Sequence, residues 1–381
     1  MHIGFITSHF PFHDAKSVGG IGTSIKNLGD ELVVLGHDVT VFVYGQEKDD
    51  KFIEGGITLI KIKNIKIKGL SWFLTRKKIQ NIILNENNIS KIDVIETPDW
   101  EGISSFINLH CPIVIRLNGS DTYFCHLDNR PVKWINKFHE KRALVKANGY
   151  LSVSQYTADV TNQLFKTSKN FTIIPNGINT NLFSNDGTYN EVKTILYFGG
   201  IIRKKGVLEI PHYFNQVIEK IPYAQLILIG QDMPDKLTGN TSTFQMMKEL
   251  FSEEAGLNVK FLGSVPYQEI KRHIENATVC IFPSYAEALP VSWIEAMAMG
   301  KSVVTSNIGW SKEVIDDGID GFLVQPSQHS EYANKIIQLL QNEGLQKELG
   351  IEARKKIERK FSMSIVAQQS LLFYKSLIGK F

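Results

Sequence analysis

The chain has 381 residues, room for two domains with separate cores, and its 43% hydrophobic and 21% charged content is that of an ordinary globular protein. A net charge of +3 is too small to argue for nucleic acid as a partner. Cys111, Cys125 and Cys280 show neither metal-ligand spacing nor an even framework, which implies a reducing cytoplasm, and neither a basic leader nor a membrane-length apolar run is visible.

In chain order, residues 3–7 form a short apolar strand, followed by a loop containing Gly19-Gly20-Ile21-Gly22. A helix is expected over 23–35, where Ile25, Leu28, Leu32 and Leu35 recur at helical spacing and Gly36 stops it. Strands are expected at 39–43, 58–62, 93–96, 113–117, 150–153 and 172–174, most of them separated by helical stretches. Residues 176–193, polar and rich in Asn, Asp and Gly, read as a linker. The pattern then restarts, with strands at 194–198, 225–229, 259–262, 279–282, 302–305 and 321–324. From about residue 331 only helices follow, able to pack on either half or to bridge both. Continuous apolar strands alternating with helices imply parallel sheets covered on both faces, so the fold class is α/β with two doubly wound halves. Ligands of such sheets bind outside the carboxyl ends of the strands.

Three loops could carry chemistry. Gly19 to Gly22 lie between a strand and a helix, the context of a phosphate or sugar loop, although a plain tight turn would use the same glycines. The glycines do not complete a G-x-G-x-x-G pattern, which disfavours a nicotinamide dehydrogenase. Between the first strand and helix of the second half, Gly199-Gly200-Ile201-Ile202 leads into three consecutive cations, Arg203, Lys204 and Lys205. Cations ahead of a helix oppose its dipole, so this loop reads either as a site awaiting an anion or as a solvated basic turn. In the third loop, the apolar run 277–283 leads through Glu287 to Pro290, which suits the first turn of a helix that Gly300 ends. Glu287 then lies in the loop and Glu295 about one and a half turns into the helix, either side of free backbone N–H groups. That layout suits a molecule with hydroxyls at both ends and phosphate in the middle, as in a sugar nucleotide.

With these loops the chain resembles the retaining, nucleotide-sugar-dependent glycosyltransferases of family four. The matching pieces run nearly end to end, from Gly19-Gly20 through 174–178, Lys205-Gly206, Leu262-Gly263 and Pro283-Ser284 to Glu287-x7-Glu295 and 317–324. The resemblance implies the GT-B fold, two facing Rossmann-like domains with a cleft between them. The expected division is 1–187 for an acceptor-binding domain, joined by a C-terminal helix at 362–381, and 188–361 for a donor-binding domain. It implies Glu287 at the donor sugar, Glu295 at the ribose, and amides around Leu289, Pro290 and Val291 on the diphosphate. Arg203 and Lys205 would neutralise that diphosphate, with Lys204 in reserve, and Gly199, Gly200 and Gly230 would line the donor site. Gly19 and Gly20 would lie under the acceptor and phosphate side. The chain departs from the family pattern at Gly200, where Arg is frequent, at Asn118, where His is frequent, and at Trp310, where a second Gly is usual. Asn118 can hydrogen-bond a sugar but cannot titrate as imidazole does. Trp310 is expected to narrow the donor pocket.

No Asp-x-Asp pair is present, so neither metal nor cofactor is expected. His9, His13 and His126 near the loops read as solvated side chains or substrate contacts. Residues 61–78 interleave Lys61, Lys63, Lys66, Lys68, Arg76, Lys77 and Lys78 with apolar side chains such as Ile67, Leu70, Trp72 and Phe73, which suits either an anionic membrane surface or an edge strand blunted by lysines. The expected activity is hexosyl transfer from a nucleotide-diphosphate sugar to a glycan or lipid-linked acceptor, in surface polysaccharide or glycoconjugate synthesis. The location is cytoplasmic, or peripheral on the inner face of the membrane. The competing readings are a sugar-nucleotide epimerase or hydrolase on the same scaffold and a non-catalytic nucleotide-sugar-binding partner.

Overall fold

The computed structural model describes residues 1–12, 20–184 and 193–379. The chain divides into unit 1, Met1–Gly177 with Met363–Phe381, and unit 2, Ile178–Ser362. Unit 1 holds strands β1 (His2–Thr7), β2 (Asp38–Gln46), β3 (Asp50–Glu54), β4 (Ile57–Lys63), β5 (Val94–Pro98), β6 (Ile113–Leu117), β7 (Gly149–Ser152) and β8 (Thr172–Ile173). They make one sheet in the order β3-β4-β2-β1-β5-β6-β7-β8, parallel except for β3. The order reverses direction between β1 and β5, which makes their carboxyl ends the topological switch point. β1, β5 and β6 are buried along their whole length, as expected of strands covered on both faces.

The helices of this unit begin with α1 (Gly20–Val34), α2 (Ser71–Ile89), α3 (Asp121–Leu127), α4 (Trp134–Lys146) and α5 (Gln155–Phe165). Unit 2 holds α6 (Ile210–Lys220), α7 (Thr243–Lys248), α8 (Glu253–Gly256), α9 (Tyr267–Asn276), α10 (Val291–Ala298), α11 (His329–Gln341) and α12 (Glu343–Lys356). Its strands β9 (Thr194–Phe198), β10 (Gln225–Ile229), β11 (Val259–Phe261), β12 (Val279–Phe282), β13 (Ser302–Ser306) and β14 (Phe322–Val324) are all parallel. Their order, β11-β10-β9-β12-β13-β14, puts the switch point between β9 and β12. The last helix, α13 (Met363–Ile378), belongs to unit 1 and packs on α1.

Four expectations change. The expected loop at Gly20-Ile21-Gly22 is the first turn of α1, with Gly22 buried; Gly19 and His13 lie outside the described residues. The division falls after Gly177 instead of after 187 because the start of the expected linker is tied into unit 2. There the Ile178 N–H donates to the Phe361 carbonyl at 2.9 Å, and Arg354 donates to the carbonyls of Thr180 and Phe183. β3 lies outside the expected strands: Asp50-Lys51-Phe52-Ile53-Glu54 has no apolar run, and its charges suit an antiparallel edge strand. The basic stretch 61–78 is not one surface. The Arg76 side chain is buried and donates to the carbonyls of Trp72, Glu101 and Gly102. The Lys61 ammonium lies 4.1 Å from the Phe12 ring centre, and Lys78 pairs with Asp49. The part that stays exposed as a mixed apolar and basic segment is 66–70 with Trp72.

Unit 1 closes around a buried ion pair. Arg116 on β6 donates through Nε and Nη2 to the Glu96 carboxylate on β5 at 2.7 and 3.1 Å, with both side chains under 8% exposed. Its remaining donors reach the Ile174 carbonyl at 3.1 Å and Ser370 Oγ at 3.2 Å, and Tyr374 Oη donates to Glu96 Oε2 at 2.6 Å. Ser370 and Tyr374 lie on α13, so this network fixes the last helix to the first sheet. Removing one partner leaves an uncompensated buried charge, a loss of about 3–5 kcal/mol. Glu96→Ala should therefore lower the urea midpoint of unit 1 more than Glu96→Leu/Arg116→Met does. Equal losses in the two variants would show that the pair itself is not what matters.

Candidate functional site

The switch point of unit 2 brings together the loops after β9, β10 and β12. The chain leaves β9 through Gly199, whose N–H donates to the Ile229 carbonyl at 2.9 Å, and Ile201 pairs in parallel with Asp232. A Cβ on Gly230 would stand 1.8 Å from the Gly199 carbonyl oxygen, so the two loops can cross only with glycine there. At Gly206, φ is +67° and a Cβ would meet the Pro283 carbonyl oxygen at 1.8 Å. Next to this crossing, the N–H groups of Tyr285 and Ala286 donate to the Lys204 carbonyl at 2.8 and 3.2 Å. The backbone therefore sets the cation loop against the Glu287 loop before any side chain acts.

The side chains complete the arrangement. Lys205 Nζ pairs with Glu287 Oε1, and Ser284 Oγ donates to the same oxygen at 3.2 Å. Arg203 grips Asp235 through Nε and Nη2, both at 2.8 Å, and the Thr238 N–H and hydroxyl also donate to Asp235. The guanidinium bonds hold the Asp235 carboxyl well below the usual carboxylate range. The three cations form a 3-10 turn, Arg203–Lys205, and α6 begins only at Ile210, so they do not sit on a helix end as expected. Asp235 and Glu287 supply negative charge to Arg203 and Lys205 from within the chain.

α10 starts after Pro290, whose side chain offers no cap hydrogen bond. Leu289 and Pro290 are buried at its entry, and Glu295 is its fifth residue. Burial pushes the Glu295 carboxyl up to about 7, partly offset by the Tyr267 hydroxyl, which donates to Oε1 at 2.6 Å. Gly200 has open space, with 3.8 Å to the nearest side chain, so glycine is not sterically required there. Trp310 is fully buried in the 3-10 turn Gly309–Glu313, so it belongs to the core of unit 2 and does not form the pocket wall expected of it.

Several partners carry no sequence signal. Asp235 lies 32 residues from Arg203, and Tyr267 lies 28 from Glu295. No spacing rule links either pair, and only the fold makes them neighbours. Ser284 is three residues from Glu287, close enough to find from the loop itself once the carboxylate is singled out. Glu209 is a further case, accepting from Tyr285 Oη at 3.1 Å and meeting His329 Nε2 at 2.7 Å, which fixes the Glu287 loop from its other side.

In unit 1, Asn118 follows β6, and its N–H donates to Asp99 Oδ1 at 2.9 Å. Burial pushes the Asp99 carboxyl up to about 7. Asn118, Ser24 and Pro175 line a void of about 10 Å³, too small for a sugar. Gly20 opens α1 with nothing within 4 Å of a Cβ placed on it. His9 and His126 are exposed, and the three cysteines are buried thiols.

The sequence matches the family described as glycosyl transferases group 1 over residues 179–356, and glycosyltransferase family 4 over residues 18–182. It is 25% identical to the glycosyltransferase MJ1178 of Methanocaldococcus jannaschii over 91% of each chain. It is also 25% identical to the capsular polysaccharide biosynthesis glycosyltransferase CapM of Staphylococcus aureus, over 63% of this chain and 64% of that one. Among solved structures, the sucrose-phosphate synthase of Thermosynechococcus elongatus superposes with a TM-score of 0.81 at 21% identity, covering all of both chains. Anabaena HepE in complex with UDP-glucose gives 0.74 at 18% identity, covering 99% of this chain and 100% of that one.

The Glu295 carboxyl supplies a test by pH. Its folded value, about 7, lies above the ordinary value of 4.5, so between those two pH values the folded chain keeps a proton that the unfolded chain loses. Stability from this group therefore falls as pH rises through that window and levels off above it, by on the order of 3 kcal/mol at most. Glu295→Gln should gain on the parent in urea midpoint from pH 4.5 to 7. A difference that stays flat with pH would contradict the buried assignment.

Proposed function

The chain belongs to the group 1 and family 4 glycosyltransferases, with the GT-B fold, and on that basis we propose that it transfers a hexosyl unit with retention from a nucleotide-diphosphate sugar. The acceptor is a glycan or a lipid-linked sugar, in polysaccharide or glycoconjugate synthesis, in the cytoplasm or at the inner face of its membrane. The epimerase, hydrolase and non-catalytic readings give way to the family assignment. The observation that carries the proposal is the Lys205–Glu287 pair at the switch point of unit 2, held by a backbone crossing.

In this reading the donor binds to unit 2 and the acceptor to unit 1. The diphosphate takes the amides at the start of α10, around Leu289, Pro290 and Val291. Lys205 has three ammonium donors, enough to hold Glu287 and a phosphate oxygen together. Arg203 uses Nε and Nη2 on Asp235 and presents Nη1 to the phosphate. These cations stabilise the charge that develops on the leaving diphosphate. Glu287 accepts from donor-sugar hydroxyls, and Glu295 accepts from the ribose. Gly199, Gly200 and Gly230 let the backbone approach the donor, and Asn118 with Gly20 serves the acceptor side. Support for a nucleotide-sugar donor comes from HepE, which was solved with UDP-glucose, and support for a polysaccharide product comes from CapM, a capsular polysaccharide biosynthesis enzyme.

Glu287→Gln should reduce transfer at least tenfold while the thermal shift given by a nucleoside diphosphate stays near that of the parent. Losing a charged hydrogen bond costs about 1.5–3 kcal/mol. Turnover at the parental rate would remove Glu287 from the reaction. With the diphosphate neutralised by Lys205 and Arg203, transfer should also survive EDTA. Loss on chelation and recovery with Mg²⁺ would replace this charge scheme with a metal-assisted one.

A further inference from the structure

α4 of unit 1 buries one face and leaves the other without a partner among the described residues. His139, Glu140, Ala143 and Leu144 are buried. On the opposite side Trp134 is 76% exposed, Phe138 46% and Val145 52%, at helical spacing. Lys133, Lys137, Lys141 and Lys146 lie exposed among them. The only acid of the helix, Glu140, is buried and accepts from the N–H groups of Asp121 and Thr122.

Phe106 links the edge of this face at Phe138 to residues 66–72, the exposed segment that leads into the first turn of α2. The Trp72 ring packs 4.7 Å from the His139 ring and 5.2 Å from Phe106, which in turn lies 6.4 Å from Phe138. Leu70 is 53% exposed and Ile67 50%, beside exposed Lys66 and Lys68. We propose that α4 and residues 66–72 together form a docking surface for an anionic phospholipid bilayer. Lysine ammoniums meet lipid phosphates while their stems and the indole and phenyl rings enter the headgroup region. A protein partner fits less well, because lysine is depleted at protein interfaces and arginine enriched. The arginines here turn away: Arg76 is buried and Arg142 lies over the Phe106 ring at 4.3 Å.

The surface also bears on the acceptor. Asn136 on α4 donates to Asp121 Oδ2 at 2.9 Å, and Asp121 opens α3 three residues after Asn118. Docking would hold the Asn118 loop near the lipid, a consequence that rests on the proposed acceptor role, whereas the docking itself does not.

The test is flotation of the full chain with vesicles of phosphatidylglycerol and phosphatidylcholine, against phosphatidylcholine alone, at about 0.1 and about 1 M salt. The parent should bind the anionic vesicles and lose binding as the Debye length falls from about 10 Å to about 3 Å. Lys137→Glu/Lys141→Glu should weaken binding on the order of 25-fold or more, at about fivefold per lysine lost. Trp134→Ser should weaken it without changing the salt dependence. All variants should keep the parental thermal shift with a nucleoside diphosphate, which separates failure of this surface from failure of the donor site. Equal flotation of parent and variants, equal binding to neutral vesicles, or self-association of the parent through this face in place of lipid binding would overturn the proposal.

Discussion

The contact on which unit 2 depends is between two stretches of backbone. Gly206 lies against the Pro283 carbonyl so closely that no side chain fits, and its φ of +67° excludes most residues on conformational grounds as well. From this crossing the Lys204 carbonyl receives two N–H groups of the neighbouring loop, and Lys205 comes to face Glu287. The ion pair is therefore a consequence of loop packing. Side chains held by backbone in this way need little reorganisation when charge develops beside them, which is the property an electrostatic catalyst requires.

The order of elements is largely legible because parallel sheets are built from continuous apolar runs, and those runs stand out between glycines and charges. β9 and β12 are visible this way, and with them the loops that carry Arg203, Lys205 and Glu287. Pairing is not visible. A cation run looks the same whether it is solvated or holds Asp235, and only the fold shows that partner. The edge strand β3 escapes because its charges, which protect an edge, hide the strand. Gly20 to Gly22 mislead because glycine marks a turn and a helix start equally.

Unit 1 shows the same limit in another form. Glu96 and Arg116 sit in strands that read as apolar, and their partners Ser370 and Tyr374 come from the far end of the chain. Nothing local announces that network. α4 carries aromatic or aliphatic residues on both faces, so its periodicity does not say which face is buried. The basic stretch 61–78 stands out in the sequence as a unit, yet folding divides it between internal partners and an exposed remainder.

Glu287 and Glu295 have the same chemistry and different surroundings. Both are buried, Glu287 beside an ammonium and a hydroxyl and Glu295 beside a phenol that donates to it, and burial raises the Glu295 carboxyl to about 7. On the proposed reading, a ribose brings two hydroxyl donors to Glu295. Hydrogen bonds to the charged form favour ionisation, so they oppose the effect of burial. Nucleotide binding and loss of the Glu295 proton then become one coupled event near neutral pH.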